Sequence, residues 1–192
     1  ISRAQVTVTG KGNYTGSTKG EFVINPKDIA KLSVDEIPAQ SYDGEPVRPD
    51  VTVRDGDVIL EEGTDYTLEY ENNENVTTNA VVTITGCGNY TGKIQKTYVI
   101  GAYSIADADV SGVSETVVYT GDSVTFSDIS VRVGGRTLQE NSDYTVSYEN
   151  NINVTSNDQK AYVVISGTGN YAGEVRIAFP ITASNIASCI VE

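Results

Sequence analysis

Three amino acids are missing from this chain of 192 residues: it contains no His, no Met and no Trp. The absence of His excludes a Ser-His-Asp or Cys-His catalytic arrangement and any imidazole metal ligand. Without Met there is no natural translation start, so we expect the chain to be a piece of a longer protein. Only two Cys are present, Cys87 and Cys189, too few for a disulfide-stapled scaffold. The sequence leaves open whether these two form a disulfide.

Basic side chains are also scarce, with 13 Lys and Arg against 26 Asp and Glu, and the formal net charge is −13. Nucleic-acid binding needs clustered Lys and Arg to neutralise phosphates, so this balance argues against a nucleic-acid partner. No apolar run approaches the roughly 18 residues of a membrane-spanning helix, so no membrane insertion is expected. No motif indicates a cofactor, and the sequence predicts a chain that is not an enzyme.

What the chain does contain is a repeat. A motif of the form Gly-Asn-Tyr-Thr/Ala-Gly occurs at 12–16, 88–92 and 169–173, at offsets of 76 and then 81 residues. A longer segment at 65–77 recurs at 143–155 with ten of thirteen residues identical. Self-similarity of this kind indicates an array of like modules.

The repeats divide the chain into four stretches. We expect the C-terminal part of a preceding repeat over 1–28, Ig-like repeats over 29–103 and 104–182, and the start of a following repeat over 183–192. The stretch 1–28 then carries the last strands of a repeat whose first strands are missing. Either it packs with the residues that follow it, or its open edges pair between chains. The first arrangement is preferred, because open β-branched edges favour aggregation.

Each repeat has the pattern of short strands joined by turns. The segments 5–10, 80–86 and 161–167 alternate apolar with polar residues, as half-buried strands do. Asp55-Gly56 and Gly134-Gly135 lie between short apolar segments and predict hairpin turns. The sequence therefore predicts an all-β fold of tandem β-sandwich repeats, each of about 75–81 residues.

The shared segment carries more detailed signals. Gly63 and Asn141 precede it at the same position, and both residue types tolerate a left-handed backbone, so a turn with positive φ is expected there. Two tyrosines four residues apart follow in each copy, and this spacing places both on one face of a strand. They are Tyr66 and Tyr70 in one copy, and Tyr144 and Tyr148 in the other. We expect a hydroxyl-to-backbone hydrogen bond resembling the tyrosine corner of sandwich folds.

The acidic stretch 55–65 has the carboxylates that calcium binding uses. The spacing of an EF-hand is absent, and the other repeat has Val133, Gly135, Gln139 and Glu140 at the matching places, which removes most candidate ligands. A solvated acidic face is therefore favoured over a metal site.

A family resemblance follows from the run Asp-Tyr-x-x-x-Tyr-x-Asn-Asn, then Val-x-Ile-x-Gly-x-Gly-Asn-Tyr-x-Gly, then an aromatic-x-Ile ending. This run resembles the tandem bacterial immunoglobulin-like (Ig-like), or mostly-β Gly-rich (MBG-type), repeats of Gram-positive cell-surface proteins. The match covers 65–100 and 143–181, with 6–24 as a partial copy. The resemblance implies Ig-like modules in a secreted protein anchored to the bacterial cell wall. It implies no catalytic residues.

The expected function is a non-catalytic stalk or spacer that holds a distal module away from the bacterial wall, with adjacent repeats of the same chain as its neighbours. One alternative is an adhesin that binds a host protein, such as immunoglobulin or a mucin-type glycoprotein, or a glycan. Another is an accessory module of a secreted glycan-degrading enzyme. Both alternatives stay open on the sequence.

Four residues are candidate partner contacts. Tyr90 and Tyr171 belong to the Gly-Asn-Tyr loops, and exposed tyrosines often anchor sugars and protein partners. Arg136 and Lys160 lie where the two repeats diverge in sequence. A competing interpretation is that Asn supplies the turn while Tyr packs its ring against the sandwich edge. Recurrence of the motif in every repeat favours this structural interpretation.

Overall fold

The computed structural model describes residues 2–185 and 187, which fold mainly into β-strands and include a short helical turn at Ile29–Lys31. The first half of the chain contains β1 (Ser2–Thr9), β2 (Ser17–Ile24), β3 (Lys27–Asp28), β4 (Ser33–Val34), β5 (Gln40–Ser41), β6 (Val53–Asp55), β7 (Val58–Ile59), β8 (Tyr66–Glu71), β9 (Thr77–Gly86), β10 (Tyr90–Thr91) and β11 (Lys93–Gly101). The second half contains β12 (Tyr103–Ser104), β13 (Asp109–Ser111), β14 (Val117–Val118), β15 (Ser130–Val133), β16 (Arg136–Thr137), β17 (Tyr144–Glu149), β18 (Ala161–Gly167), β19 (Tyr171–Ala172), β20 (Glu174–Phe179) and β21 (Ile181–Thr182).

The chain divides into two compact units. The first comprises the residues up to Gln40 together with Gly44–Ile100, and the second comprises Ser41–Asp43 together with the residues from Gly101 onward. Each unit contains one copy of the segment that begins with Asp-Tyr. The repeat boundaries and the kinship to Ig-like modules stay predictions.

The two units share one strand plan. In the first unit β4, β6 and β7 form an antiparallel sheet, and β3 pairs in parallel with β10. The antiparallel strands β8, β9 and β11 belong to a second sheet, in which β5 is added beside β11. In the second unit the same roles fall to β13, β15 and β16, to β17, β18 and β20, and to β12 with β19. The sequence repeat is thus also a repeat of strand pairing.

A shared core joins the two antiparallel sheets of each unit. In the second unit Val131 from β15 packs in one buried cluster with Tyr144 from β17, Val163 and Ile165 from β18, and Phe179 from β20. The corresponding positions of the first unit are also buried: Val53, Tyr66, Val82, Ile84 and Tyr98. Because alternate residues of each strand point into this layer, the strands have the predicted apolar-polar alternation. The prediction of an all-β sandwich fold is confirmed.

The turn predictions are confirmed as well. The hairpin β6–β7 turns at Gly56 with φ of 61°, and β15–β16 turns at Gly134 and Gly135 with φ of 56° and 80°. Gly63 and Asn141 have φ of 82° and 65°, in the left-handed region that glycine adopts freely and asparagine tolerates better than most residues.

The stretch 1–28 behaves in two ways. Lys27–Asp28 pairs in parallel with β10 of the first unit. By contrast, β1 and β2 pair with each other as a two-stranded sheet, and nearly all of their side chains are exposed. The expectation that 1–28 packs with the residues that follow it therefore holds at Lys27–Asp28 and is wrong for β1 and β2. Most of 183–192 lies outside the described residues.

Candidate functional site

The Gly-Asn-Tyr loop of the second unit places Tyr171 in a small aromatic cluster. Gly169 and Gly173 take positive φ of 63° and 93°, so the loop turns tightly on both sides of the tyrosine. The ring of Tyr171 is 8% exposed and meets the ring of Tyr42 edge-on, with centroids 5.7 Å apart. The ring of Tyr103 lies 6.4 Å away on centroids. Such edge-to-face pairs are the arrangement that aromatic rings prefer.

A cavity of about 210 Å³ opens beside this cluster, and its lining residues are Asp43, Tyr103, Val133, Gly134, Arg136 and Tyr171. Arg136 reaches it because the Gly134-Gly135 turn places the first residue of β16 at this edge. The lining combines two aromatic rings with a guanidinium and a carboxylate. These groups suit a small polar ligand, although the volume is below the roughly 300 Å³ at which ordinary ligand pockets begin.

Electrostatics around Tyr171 agree with its enclosure. Burial raises the pKa of the Tyr171 hydroxyl above its ordinary value, and the negative charge of Asp143 acts in the same direction. Arg136 acts against this shift and lowers the pKa. The hydroxyl is therefore protonated at neutral pH, and it can offer a hydrogen-bond donor at the cavity.

Tyr90 occupies the same loop position in the first unit but has different surroundings. It is half-buried, and its hydroxyl donates to the carboxylate of Asp55 at 3.3 Å. Lys27 forms an ion pair with the same carboxylate, and this contact lowers the pKa of Asp55. Where the second unit has the ring of Tyr103, the first has the ammonium group of Lys27. The tyrosine repeats between the units, while the groups around it do not.

Lys160 lies elsewhere in the second unit. It is exposed, and its backbone carbonyl accepts from the side-chain amide of Asn150 at 3.1 Å. It borders a cavity of about 490 Å³ that is also lined by Phe179, Pro180 and Ile181. Of the three candidates in this unit, the structure thus brings Tyr171 and Arg136 together and leaves Lys160 at a different cavity.

The residues of the long shared motif bond to the backbone of their own unit. Tyr66 donates its hydroxyl to the carbonyl of Val51 at 2.9 Å, and Tyr70 donates to that of Pro49 at 2.8 Å. In the second copy Tyr144 and Tyr148 donate to Ile129 and Phe126. The expected hydroxyl-to-backbone bonds are confirmed.

The acidic and amide residues of the motif have similar structural contacts. A carboxylate oxygen of Asp65 accepts the backbone N–H of Glu61, and that of Asp143 accepts the N–H of Gln139. The side-chain amide of Asn73 donates to the carbonyl of Val47 at 3.0 Å. In the second copy the amide of Asn151 donates to the carbonyl of Val124 at 2.7 Å.

The carboxylates of 55–65 have separate contacts. Asp55 forms an ion pair with Lys27, and Asp65 accepts a backbone hydrogen bond in the turn that precedes β8. In the part of the chain that the structure describes, no three His, Cys, Asp or Glu side chains are grouped as a metal site. The thiol of Cys87 donates to the carbonyl of Thr64 at 3.4 Å, and Cys189, the other cysteine of the chain, lies outside the described residues.

Two features escaped the sequence interpretation. In the Gly-Asn-Tyr loops the left-handed residue is the glycine that precedes the asparagine, and the asparagine itself does not take that conformation. The backbone carbonyls of these asparagines accept hydrogen bonds from a parallel strand. The N–H of Lys27 donates to the carbonyl of Asn89, and the N–H of Tyr103 donates to the carbonyl of Asn170, each at 2.9 Å. Tyr42 was also missed, although aligning it with Tyr119 one repeat later would have pointed to it.

No protein-family model matches this chain, and no curated protein or solved structure matches it. Within residues 2–185 and 187, no helix has the length and apolar character needed to span a membrane. The resemblance to bacterial Ig-like and MBG-type repeats therefore stays an expectation carried by the motifs themselves.

Proposed function

We propose that this chain is a non-catalytic part of a bacterial cell-surface repeat protein, and that its β-sandwich units act as a stalk or spacer. The observation that carries the proposal is the use of the repeated polar residues. Tyr66, Asn73 and their counterparts Tyr144 and Asn151 all bond to the backbone of their own unit. What repeats along the chain is a scaffold, as serial modules of a spacer require.

The resemblance to tandem Ig-like repeats of Gram-positive surface proteins supports the location on the cell wall. The net charge of −13 supports a role in which the units stay soluble beside one another and do not bind polyanions. Neither argument depends on a ligand.

Small-angle scattering and binding assays test the spacer function. We expect the chain to scatter as an elongated particle whose length increases in equal steps when further copies of 104–182 are added. We also expect no saturable binding on arrays of host glycans and glycoproteins. A compact particle, or a length that does not grow with added copies, would contradict the proposal.

The alternative function as an adhesin rests on the cavity beside Tyr171. Here Arg136 and two tyrosines line one opening, whereas at the matching place in the first unit Tyr90 is accompanied by Lys27 and Asp55. If this cavity binds a host glycan, Arg136→Ala should abolish the binding, whereas Lys27→Ala should leave it unchanged. Equal binding by both variants would exclude the cavity as the site.

A further inference from the structure

The hairpin formed by β1 and β2 resembles in sequence a strand pair of each sandwich unit, but its apolar side chains are exposed where those of the units are buried. At a constant offset of 157 residues, Val6, Val8, Phe22 and Ile24 correspond to Val163, Ile165, Phe179 and Ile181. The hairpin residues are 50%, 59%, 53% and 53% exposed, in that order. Their counterparts are 0%, 0%, 1% and 1% exposed. The same holds at an offset of 76, where all four counterparts in the first unit are at most 3% exposed.

These side chains form one continuous face. Val6 and Val8 alternate along β1, and the register places Phe22 opposite Ala4 and Ile24 opposite Ser2 on the neighbouring strand. Residues that alternate along a strand and residues that pair across strands point to the same side of a sheet. An isolated two-stranded hairpin is only marginally stable in water, because it needs a further strand or a packed layer to cover its apolar face.

The two complete units show what covers this face. In the second unit the buried partners of Val163 and Phe179 come from the first part of the same repeat: Ile105, Val131, Leu138 and Tyr144. They lie ahead of β18 in the chain, and β17 pairs with β18 edge to edge. The loop carbonyl of Asn170 receives the N–H of Tyr103 from the same part of the repeat. Asn13 holds the corresponding position in the hairpin.

We propose that the β1–β2 hairpin is an acceptor surface for a polypeptide segment of the same kind as 103–160, joined ahead of it in the same chain. The segment adds one strand antiparallel to β1 and lays its apolar side chains on the exposed face. The register follows from the second unit, in which Tyr144, Val146 and Tyr148 stand opposite Gly167, Ile165 and Val163. On the hairpin, those three side chains stand opposite Gly10, Val8 and Val6. Strand addition of this kind gives the outer edge of β1 backbone hydrogen bonds and at the same time buries the apolar face.

The aromatic position decides which kind of segment fits best. Phe22 lacks a hydroxyl, like Phe179, whose ring meets that of Phe126 edge-on at 5.0 Å. In the first unit the same position is Tyr98, whose hydroxyl donates to the carbonyl of Val47. Both kinds of segment offer Phe22 an aromatic ring, but the ring in a segment like 103–160 lies closer: Phe126 is 5.0 Å from Phe179 on centroids, whereas Tyr70 is 6.5 Å from Tyr98. A segment like 27–79 offers it a carbonyl that a phenylalanine cannot use, so the first kind is the better occupant.

The test extends the full chain. A copy of residues 103–160 is placed directly ahead of Ala4, in place of residues 1–3, which reproduces the junction between Lys160 and Ala161. Hydrogen exchange is then measured on the amides of β1 and β2. We expect these amides to exchange nearly as fast as in an unfolded chain without the extension, and at least about 100-fold more slowly with it. Extension by a copy of 27–79 should give a smaller increase.

Val8→Asp is the matched control. In the unextended chain this side chain is exposed, so the substitution should change neither exchange nor the melting temperature of the units. In the extended chain it should abolish the protection of β1 and β2. Exchange that stays fast with both extensions, or protection that survives Val8→Asp, would overturn the proposal.

Sedimentation of the unextended chain tests the other occupant. A dimer in which β1 and β2 are already protected, and which Val8→Asp dissociates, would assign the face to a second copy of this chain and overturn the proposal. A monomer with fast-exchanging β1 and β2 amides supports it. This inference does not depend on the spacer function, because the exchange experiment has the same expected result for a spacer and for an adhesin.

Discussion

The carbonyl of Val47 offers a direct test of how the shared motif stabilises the first unit. This buried carbonyl accepts two side-chain donors, the amide of Asn73 at 3.0 Å and the hydroxyl of Tyr98 at 2.8 Å. The N–H of Val47 in turn donates to the backbone carbonyl of Asn73 at 2.8 Å. Either side chain alone can keep the Val47 carbonyl hydrogen-bonded.

The expected magnitudes follow from that redundancy. Tyr98→Phe removes one hydrogen bond and should lower the free energy of unfolding by about 1 kcal/mol. Asn73→Ala should cost a similar amount, about 1 kcal/mol, for the same reason. The double variant leaves a buried carbonyl without a side-chain donor, which adds a desolvation cost of about 1–3 kcal/mol. The loss in the double variant should therefore exceed the sum of the two single losses by at least about 1 kcal/mol.

Urea unfolding followed by far-UV circular dichroism measures these free energies for all four proteins. Tyr66→Phe combined with Asn73→Ala is the control pair, because the hydroxyl of Tyr66 bonds to a different carbonyl, that of Val51. Its effects should add to within about 0.5 kcal/mol. If Tyr98→Phe and Asn73→Ala were also additive within that margin, the two donors would not share the Val47 carbonyl in solution, and the reasoning would be refuted.

Three further predictions concern the backbone and the buried tyrosines. Gly112→Ala should lower the melting temperature far more than Gly121→Ala. Both glycines have positive φ, but only at Gly112 would an added Cβ lie 2.0 Å from a backbone oxygen, that of Asp128. Equal shifts of the melting temperature would contradict this. Asn72 has φ of 54°, so Asn72→Val should destabilise the protein by about 1–2 kcal/mol in urea unfolding while Asn72→Gly stays near neutral. Burial raises the pKa of Tyr98, so the unfolded state loses that proton first as the pH rises. The contribution of Tyr98 to the free energy of unfolding should therefore be fully present below about pH 10 and decrease above it. Tyrosinate absorbance should rise at a higher pH in the folded chain than in the chain unfolded in urea, and coincident titrations would refute this.

Local conformational rules account for the part of the fold that the sequence predicted. The turns at Gly56 and Gly134, and the left-handed residues Gly63 and Asn141, depend only on which side chains tolerate positive φ. The strands follow from alternation, and the repeat shows that both units use the same plan. The turn and alternation signals each lie within a few neighbouring residues, and the repeat is visible by comparing segments of the sequence, so none of them requires knowledge of a long-range contact.

The candidate site depended on contacts that no local pattern contains. Tyr171 and Arg136 were predicted as separate candidates, and only the packing of β16 beside the Gly-Asn-Tyr loop brings them to one cavity. The ring of Tyr42 packs against that of Tyr171, although Tyr42 lies more than a hundred residues earlier in the chain than Tyr171. Lys160 diverges between the repeats in the same way, yet it lies at another cavity.

The three copies of the strand-loop-strand segment separate what the sequence determines from what tertiary structure decides. Each copy forms the same antiparallel pair with the same glycine turns, because alternation and positive φ are local properties. Burial differs: Val82 and Val163 are inaccessible to solvent, while Val6 at the same position is half exposed. A strand can form from its own residues and one neighbour, but a buried face requires a second layer. Only the tertiary structure shows which of the three copies has that layer.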